Sequence, residues 1–167
     1  MEDKILILSG EIGTGKTTAL INWINSRNIR AHGVLMPLFE EKRHFYNPYM
    51  DVTVAAESDQ KTRDPEKVYE IGPYIFSKKA FRVASSWLRM KPPLNTDYYI
   101  VDEVGHLELK DEGLEPDLSP VVKAALNHEL SHTLILVVRK SLLDKVRKKY
   151  KLTKVKVIGK DDLENLD

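Results

Sequence analysis

The apolar pattern of the chain begins with Ile5-Leu6-Ile7-Leu8, an unbroken run of the kind a parallel strand takes when both faces are buried. Leu20, Ile21, Trp23 and Ile24 then recur at helical spacing and predict a helix with one apolar face. Gly33-Val34-Leu35-Met36 reads as a second strand, stopped by Pro37. Over residues 39–57, Phe45, Tyr49, Val52 and Val54 fall in short alternating pieces around the turn signal Asn47-Pro48. That pattern predicts a β-hairpin or meander at the edge of the sheet. Residues 58–70 are polar, include Asp64-Pro65, and read as an exposed loop.

Helical periodicity returns after Ser77, an N-cap candidate, and places Phe81, Ala84 and Leu88 on the inner face of a helix running to about residue 90. Lys91-Pro92-Pro93 ends it. Tyr98-Tyr99-Ile100-Val101 is a strand that delivers Asp102-Glu103. Ser119-Pro120, a cap residue followed by proline, predicts a helix start, with the helix reaching about residue 130. The most apolar strand is Thr133-Leu134-Ile135-Leu136-Val137-Val138, ending at Arg139. Ser141 and Asp144 resemble a capping box for a short helix to about residue 150, and Val155-Lys156-Val157-Ile158 is a last strand. Strands alternating with helices imply right-handed crossovers and an α/β fold, a mostly parallel sheet covered on both faces. In such a sheet ligands sit outside the carboxyl ends of the strands.

Composition narrows the class. With 167 residues the chain is expected to form one domain over 1–167, with a core that needs no staples. It has no cysteine, hence no disulfide framework and no thiolate metal site, which fits a reducing, cytoplasmic location. Apolar runs of about five residues are far too short to span a membrane, and Met1-Glu2-Asp3 leads into a strand without the layout of a signal peptide. The net charge is +1, yet residues 139–160 hold ten basic residues against the single acid Asp144. A block of that kind can contact nucleic acid. The favoured reading is a solvated face, because only Tyr150 interleaves with the charges.

The chemistry is concentrated in Gly10-Glu11-Ile12-Gly13-Thr14-Gly15-Lys16-Thr17, which reads G-x-x-x-x-G-K-T, the Walker A phosphate loop. Gly10 and Gly15 are expected to take positive φ, helped by Gly13, so that successive N–H groups form a nest for anionic oxygens. Lys16 would reach the β- and γ-phosphates and the Thr17 hydroxyl would bind Mg²⁺, while Thr18 follows in the first turn of the helix, whose dipole adds to the site. Asp102, at the end of a buried strand, has the Walker B position that holds Mg²⁺, and Glu103 suits the orientation or deprotonation of attacking water. Arg139, at another strand's carboxyl end, would meet charge on the γ-phosphoryl. The fold class expected is therefore the three-layer P-loop NTPase fold with an edge hairpin.

The segment Asp102-Glu103-Val104-Gly105-His106-Leu107-Glu108-Leu109 resembles the D-E-x-G-x-x-E-L stretch of the small P-loop nucleoside-triphosphatases of the thermophile and human cancer-related type. Gly15-Lys16-Thr17-Thr18, Ile71-Gly72-Pro73-Tyr74, the strand ending in Arg139 and Val155-Lys156-Val157 extend the likeness over nearly the whole chain. Two departures stand out: residues 39–51 lack the family's hairpin glycines, and His106 replaces Lys or Pro. The resemblance implies slow, Mg²⁺-dependent hydrolysis of several nucleoside triphosphates, ATP and GTP among them, to the diphosphate and phosphate. It places Gly10, Gly15, Lys16 and Thr17 on phosphates and metal, and Asp102 and Glu103 on metal and water. The residues leave two alternatives open: a P-loop kinase with a small or nucleic-acid acceptor, and a binding module controlled by nucleotide. Oligomeric state and preferred base are not legible.

Overall fold

The computed structural model describes residues 4–58 and 63–166. Five strands form one parallel sheet: β1 (Ile5–Gly10), β2 (Ala31–Val34), β8 (Tyr98–Asp102), β9 (Thr133–Arg139) and β10 (Lys156–Ile158), in the order β10-β1-β9-β8-β2. The long apolar runs take its interior. β9 lies between β1 and β8 and is buried from Leu134 to Val138.

Strand alternation divides the core into two layers. Ile5 and Ile7 of β1, with Leu134 and Leu136 of β9, face helices α2 (Lys78–Arg89), α4 (Leu118–Leu126) and α5 (Leu143–Lys149). Leu6 and Leu8, with Ile135 and Val137, face Leu20, Trp23 and Ile24 of α1 (Lys16–Ser26) and Leu163 of a closing 3₁₀ turn over Lys160–Asn165. This is the three-layer α/β fold expected.

Several element boundaries follow from visible caps. Ser77 caps α2, its hydroxyl accepting from the Ala80 N–H at 3.2 Å. α4 starts one residue before Ser119, whose hydroxyl donates to Glu115 rather than capping, and it ends at Leu126, well short of residue 130. Ser141 lies inside a 3₁₀ turn, and no side chain caps α5. The capping-box reading there is corrected.

The edge feature is a meander of β3 (Leu38–Phe39), β4 (Lys42–Asn47) and β5 (Val52–Ala55). It joins the main sheet beyond β2, where Leu35 and Tyr46 exchange two backbone hydrogen bonds of 2.8 Å. The β3–β4 turn places Glu40 and Glu41 at φ 48° and 62°, the left-handed region that such two-residue turns require and that glycine or asparagine usually occupies. The expected exposed loop over 58–70 is in part a strand: β6 (Val68–Ile71) pairs with β7 (Tyr74–Ser77) around Gly72 at φ 56°. Residues 59–62 and the acidic start Met1-Glu2-Asp3 lie outside the described residues. No helix among the described residues is long and apolar enough to cross a membrane.

Candidate functional site

The phosphate loop leaves the carboxyl end of β1 and enters α1. Gly13 and Gly15 take positive φ, 71° and 79°, where a side chain would be strained. Gly10 does not share that conformation; it is the last residue of β1. What Gly10 supplies is room, since a Cβ there would sit 3.3 Å from Thr14 Oγ1 and against the Lys16 stem. The Thr14 hydroxyl closes the loop on the Glu11 carbonyl at 2.9 Å. Lys16 is buried, and its ammonium donates to the carbonyls of Gly10 (3.2 Å) and Glu11 (2.8 Å). No side chain caps α1, which leaves its first N–H groups open to an anion.

Asp102 arrives from β8 at the same edge. Its Oδ2 accepts from Thr17 Oγ1 at 2.6 Å and from the Met36 N–H at 3.3 Å. Burial pushes its carboxyl up to about 6, the neighbouring Glu103 charge adds to that, and the Thr17 and Met36 hydrogen bonds and Lys16 oppose it. Glu103 stands one residue on, half-buried, and Oε1 accepts from Arg139 Nε at 2.9 Å with Nη2 at 2.8 Å. The register sets this meeting, because Arg139 lies opposite Gly10 and Asp102 opposite Val137.

A cleft of about 560 Å³ runs along this edge, walled by residues 12–18, Asp102, Glu103 and Arg139. The structure therefore gathers Ile12, Gly13, Thr14, Gly15, Lys16, Thr17 and Thr18 with the two acids and the arginine. Gly10 and Glu11 are not on the wall; their carbonyls hold Lys16 from behind.

Sequence reasoning passed over Lys160 and the far wall of the cleft, and met Glu108 only as a letter of the resembling segment. Lys160 donates to the Thr14 carbonyl at 2.6 Å. It was legible only as part of the basic block, yet β10 lies beside β1, so a residue just past its end must fall at the phosphate loop. Arg43, Tyr46, Asp51 and Thr53 of the meander form the cleft's far wall; no motif marks them. Glu108 is fully buried in the short helix α3 (His106–Leu109), accepts from the Gly105 N–H at 3.1 Å, and is pushed up to about 8 by burial. Gly113, at φ 67°, packs against its other oxygen, and a Cβ there would overlap it.

The oxygen donors of Thr17 and Asp102 fit a magnesium ion, which takes one or two protein oxygens and fills its octahedron with phosphates and water. Among the described residues no group of three or more His, Cys, Asp or Glu would hold a metal by itself, so any ion here would share its ligands with the phosphates. The model of a family described as NTPase matches residues 5–165. The chain belongs to the NTPase family. In this NTPase-family chain the five-stranded sheet and its helices are also similar to the crystal structure of THEP1 from the hyperthermophile Aquifex aeolicus, with a TM-score of 0.71 at 18% identity over 96% of this chain and 95% of that one. That likeness is one of fold. No curated protein sequence matches the chain.

Proposed function

We propose that this P-loop protein hydrolyses nucleoside triphosphates, ATP and GTP among them, to the diphosphate and phosphate with Mg²⁺. The observation that carries the reading is the 2.6 Å hydrogen bond between Thr17 Oγ1 and Asp102 Oδ2, which joins the phosphate loop to the acid strand at the inner end of the cleft. When bound, Mg²⁺ would supply a Lewis acid for the β- and γ-phosphate oxygens, held by Thr17 and Asp102.

The chain's own residues do the rest. Backbone N–H groups of the loop bind the phosphates, and Lys16 exchanges its two carbonyl partners for β- and γ-oxygens. Glu103 orients a water in line with the bond to be broken and takes its proton as the water oxygen bonds to phosphorus. The β–γ bridging bond breaks and the diphosphate leaves. Arg139 stabilises the charge on the transferred group. In the free protein Arg139 holds the Glu103 carboxylate through two nitrogens. Both contacts fall on Oε1, so Arg139 orients the carboxylate and Oε2 is left to serve the water. Across the cleft Tyr46 donates to Asp51 at 3.3 Å, so two polar groups of the far wall are engaged with each other rather than with a base, which supports broad base acceptance.

The 167 residues act as one domain in the cytoplasm. A solvated face stays the favoured reading of the basic stretch over a nucleic-acid site, because some of its charges already have partners: Lys140 faces Glu11 at 3.7 Å, Lys149 contacts Asp111 and Lys160 holds Thr14. The test is phosphate release from ATP, GTP, CTP and UTP with Mg²⁺ and with EDTA. Release from several bases, lost in EDTA, is expected; no release from any of them overturns the hydrolase reading.

A further inference from the structure

A second cavity, about 360 Å³, lies against the first. The two share Ile12, Met36, Arg43, Glu103 and Arg139, so these residues form the boundary between them. Residues 13–18 border only the first cavity; the β6–β7 turn, Phe81 and residues 105–108 border only the second. Glu103 thus has the phosphate loop on one side and a separate chamber on the other. That is where an attacking group has to stand, because nucleophile and leaving oxygen lie on opposite sides of phosphorus in an in-line transfer.

The chamber is not built for water. Its walls are Ile71, Pro73, Tyr74, Phe76, Phe81 and Leu107. Three of these are rings, with centroids 6.2 Å apart for Tyr74 and Phe76 and 6.1 Å for Phe76 and Phe81. The charged groups facing it are already engaged. The Arg43 guanidinium lies over the Tyr74 ring at 4.3 Å, Arg139 is paired with Glu103, and Glu108 accepts from the Gly105 N–H through Oε1 while its Oε2 packs against Gly113. His106 borders it from the exposed first position of α3. A volume in the range of small-molecule sites, apolar walls and one carboxylate at the inner end fit an uncharged ring compound bearing a hydroxyl.

We propose that this chamber is an acceptor site for a small aromatic alcohol, and that the protein passes the γ-phosphoryl group to its hydroxyl. The proposal rests on the nucleotide site described above. In the transfer the alcohol oxygen bonds to the γ-phosphorus and the β–γ bridging P–O bond breaks. The hydroxyl proton goes to the Glu103 carboxylate, and a phosphate monoester and the nucleoside diphosphate leave. In hydrolysis a water beside Glu103, at the boundary between the two cavities, takes the place of the hydroxyl.

The test is γ-labelled ATP with Mg²⁺ and, in separate reactions, benzyl alcohol, 2-phenylethanol and 4-pyridinemethanol at millimolar concentration. Labelled ester and labelled phosphate are separated and compared. Water then outnumbers the alcohol by roughly a thousandfold or more, so ester in amounts similar to phosphate requires a bound, oriented acceptor. That is the expected result for at least one alcohol. Ile71→Trp fills the chamber from the end of β6 and should cut ester at least ~10-fold while phosphate release stays within about twofold. Benzyl methyl ether, which fits the same walls but has no hydroxyl, should suppress ester formation in the wild-type protein, a result that does not depend on the variant's folding. Phosphate release without ester from any alcohol overturns the acceptor site and leaves the hydrolase reading standing. Ester that neither the ether nor a folded Ile71→Trp protein reduces also overturns it. Absence of both products counts against the nucleotide site itself.

Discussion

The carboxyl edge of the parallel sheet and the antiparallel meander β3–β5 face each other across one cleft, and they are built on opposite terms. At the edge, neighbouring strands end in register: Asp102 is the last residue of β8 and Arg139 of β9, and Lys16 opens α1 after the loop that leaves β1. Across the cleft, β3 is exposed, β5 is largely exposed, and the β3–β4 turn holds two glutamates in the left-handed region. The first arrangement brings polar and charged groups within hydrogen-bond distance, 2.6 Å between Thr17 and Asp102 and 2.8 Å between Arg139 and Glu103. The second presents short, exposed strands to the cleft. The two sides of the cleft thus differ in how deeply their strands are buried.

Changes at the edge should therefore alter rate far more than stability, and changes across the cleft the reverse. The largest effect belongs to Lys16→Ala. Loss of its charge at the β- and γ-phosphates should lower turnover by on the order of 10²–10³-fold or more and weaken nucleotide binding. Near-normal phosphate release in that variant would remove the phosphate loop from the mechanism.

The two adjacent acids should separate next. Glu103→Gln should keep nucleotide–Mg²⁺ affinity and lose ~10²-fold in single-turnover hydrolysis, since an amide takes no proton. Asp102→Asn should instead raise the Mg²⁺ concentration needed for half-maximal rate. Metal titrations on both proteins check the split; identical Mg²⁺ curves for the two variants contradict it.

Arg139→Ala is expected to cost roughly 10-fold or more in kcat with little change in nucleotide affinity. Arg139→Lys should restore little, because one ammonium cannot reproduce the planar fork of donors that a guanidinium offers the transferred phosphoryl group. An unchanged kcat in the alanine variant returns Arg139 to the basic surface.

Glu108 tests the support beneath the edge. Burial holds its carboxyl up at about 8, above its ordinary 4.5, so between those values the folded protein keeps a proton that the unfolded chain loses. Stability drawn from this group is accordingly lost as pH rises through that window. Glu108→Gln should flatten the loss, gaining roughly 2–4 kcal/mol relative to wild type on going from pH 4 to pH 9, read from urea midpoints. Parallel pH profiles for the two proteins would show that the buried acid carries no such cost.

The smallest effect on rate should come from the far wall. Replacing Glu40-Glu41 by Asn-Gly gives the β3–β4 turn residues suited to its backbone, and should add about 1 kcal/mol of stability or slightly more with turnover nearly unchanged. A large fall in rate would show that this turn belongs to the chemistry after all.

The sequence by itself determined what depends on neighbours along the chain. The spacing of Gly10 to Thr17, the apolar runs of β1, β8 and β9, and the Ser77 cap are local matters of hydrogen bonding and periodicity, and they read directly. So did the placement of Asp102, Glu103 and Arg139 at strand ends. The strand order, which puts β9 between β1 and β8 and so brings Arg139 onto Glu103, is a choice among crossovers that no local pattern encodes. The β6–β7 hairpin escaped notice because its residues are bound to Ala56 and Ser58, far back along the chain, rather than to each other alone. Lys160 at the Thr14 carbonyl and the buried Glu108 are likewise products of burial and register between distant segments. Only the assembled sheet decides which charges share a cleft, because the energy of a charge depends on what surrounds it in space.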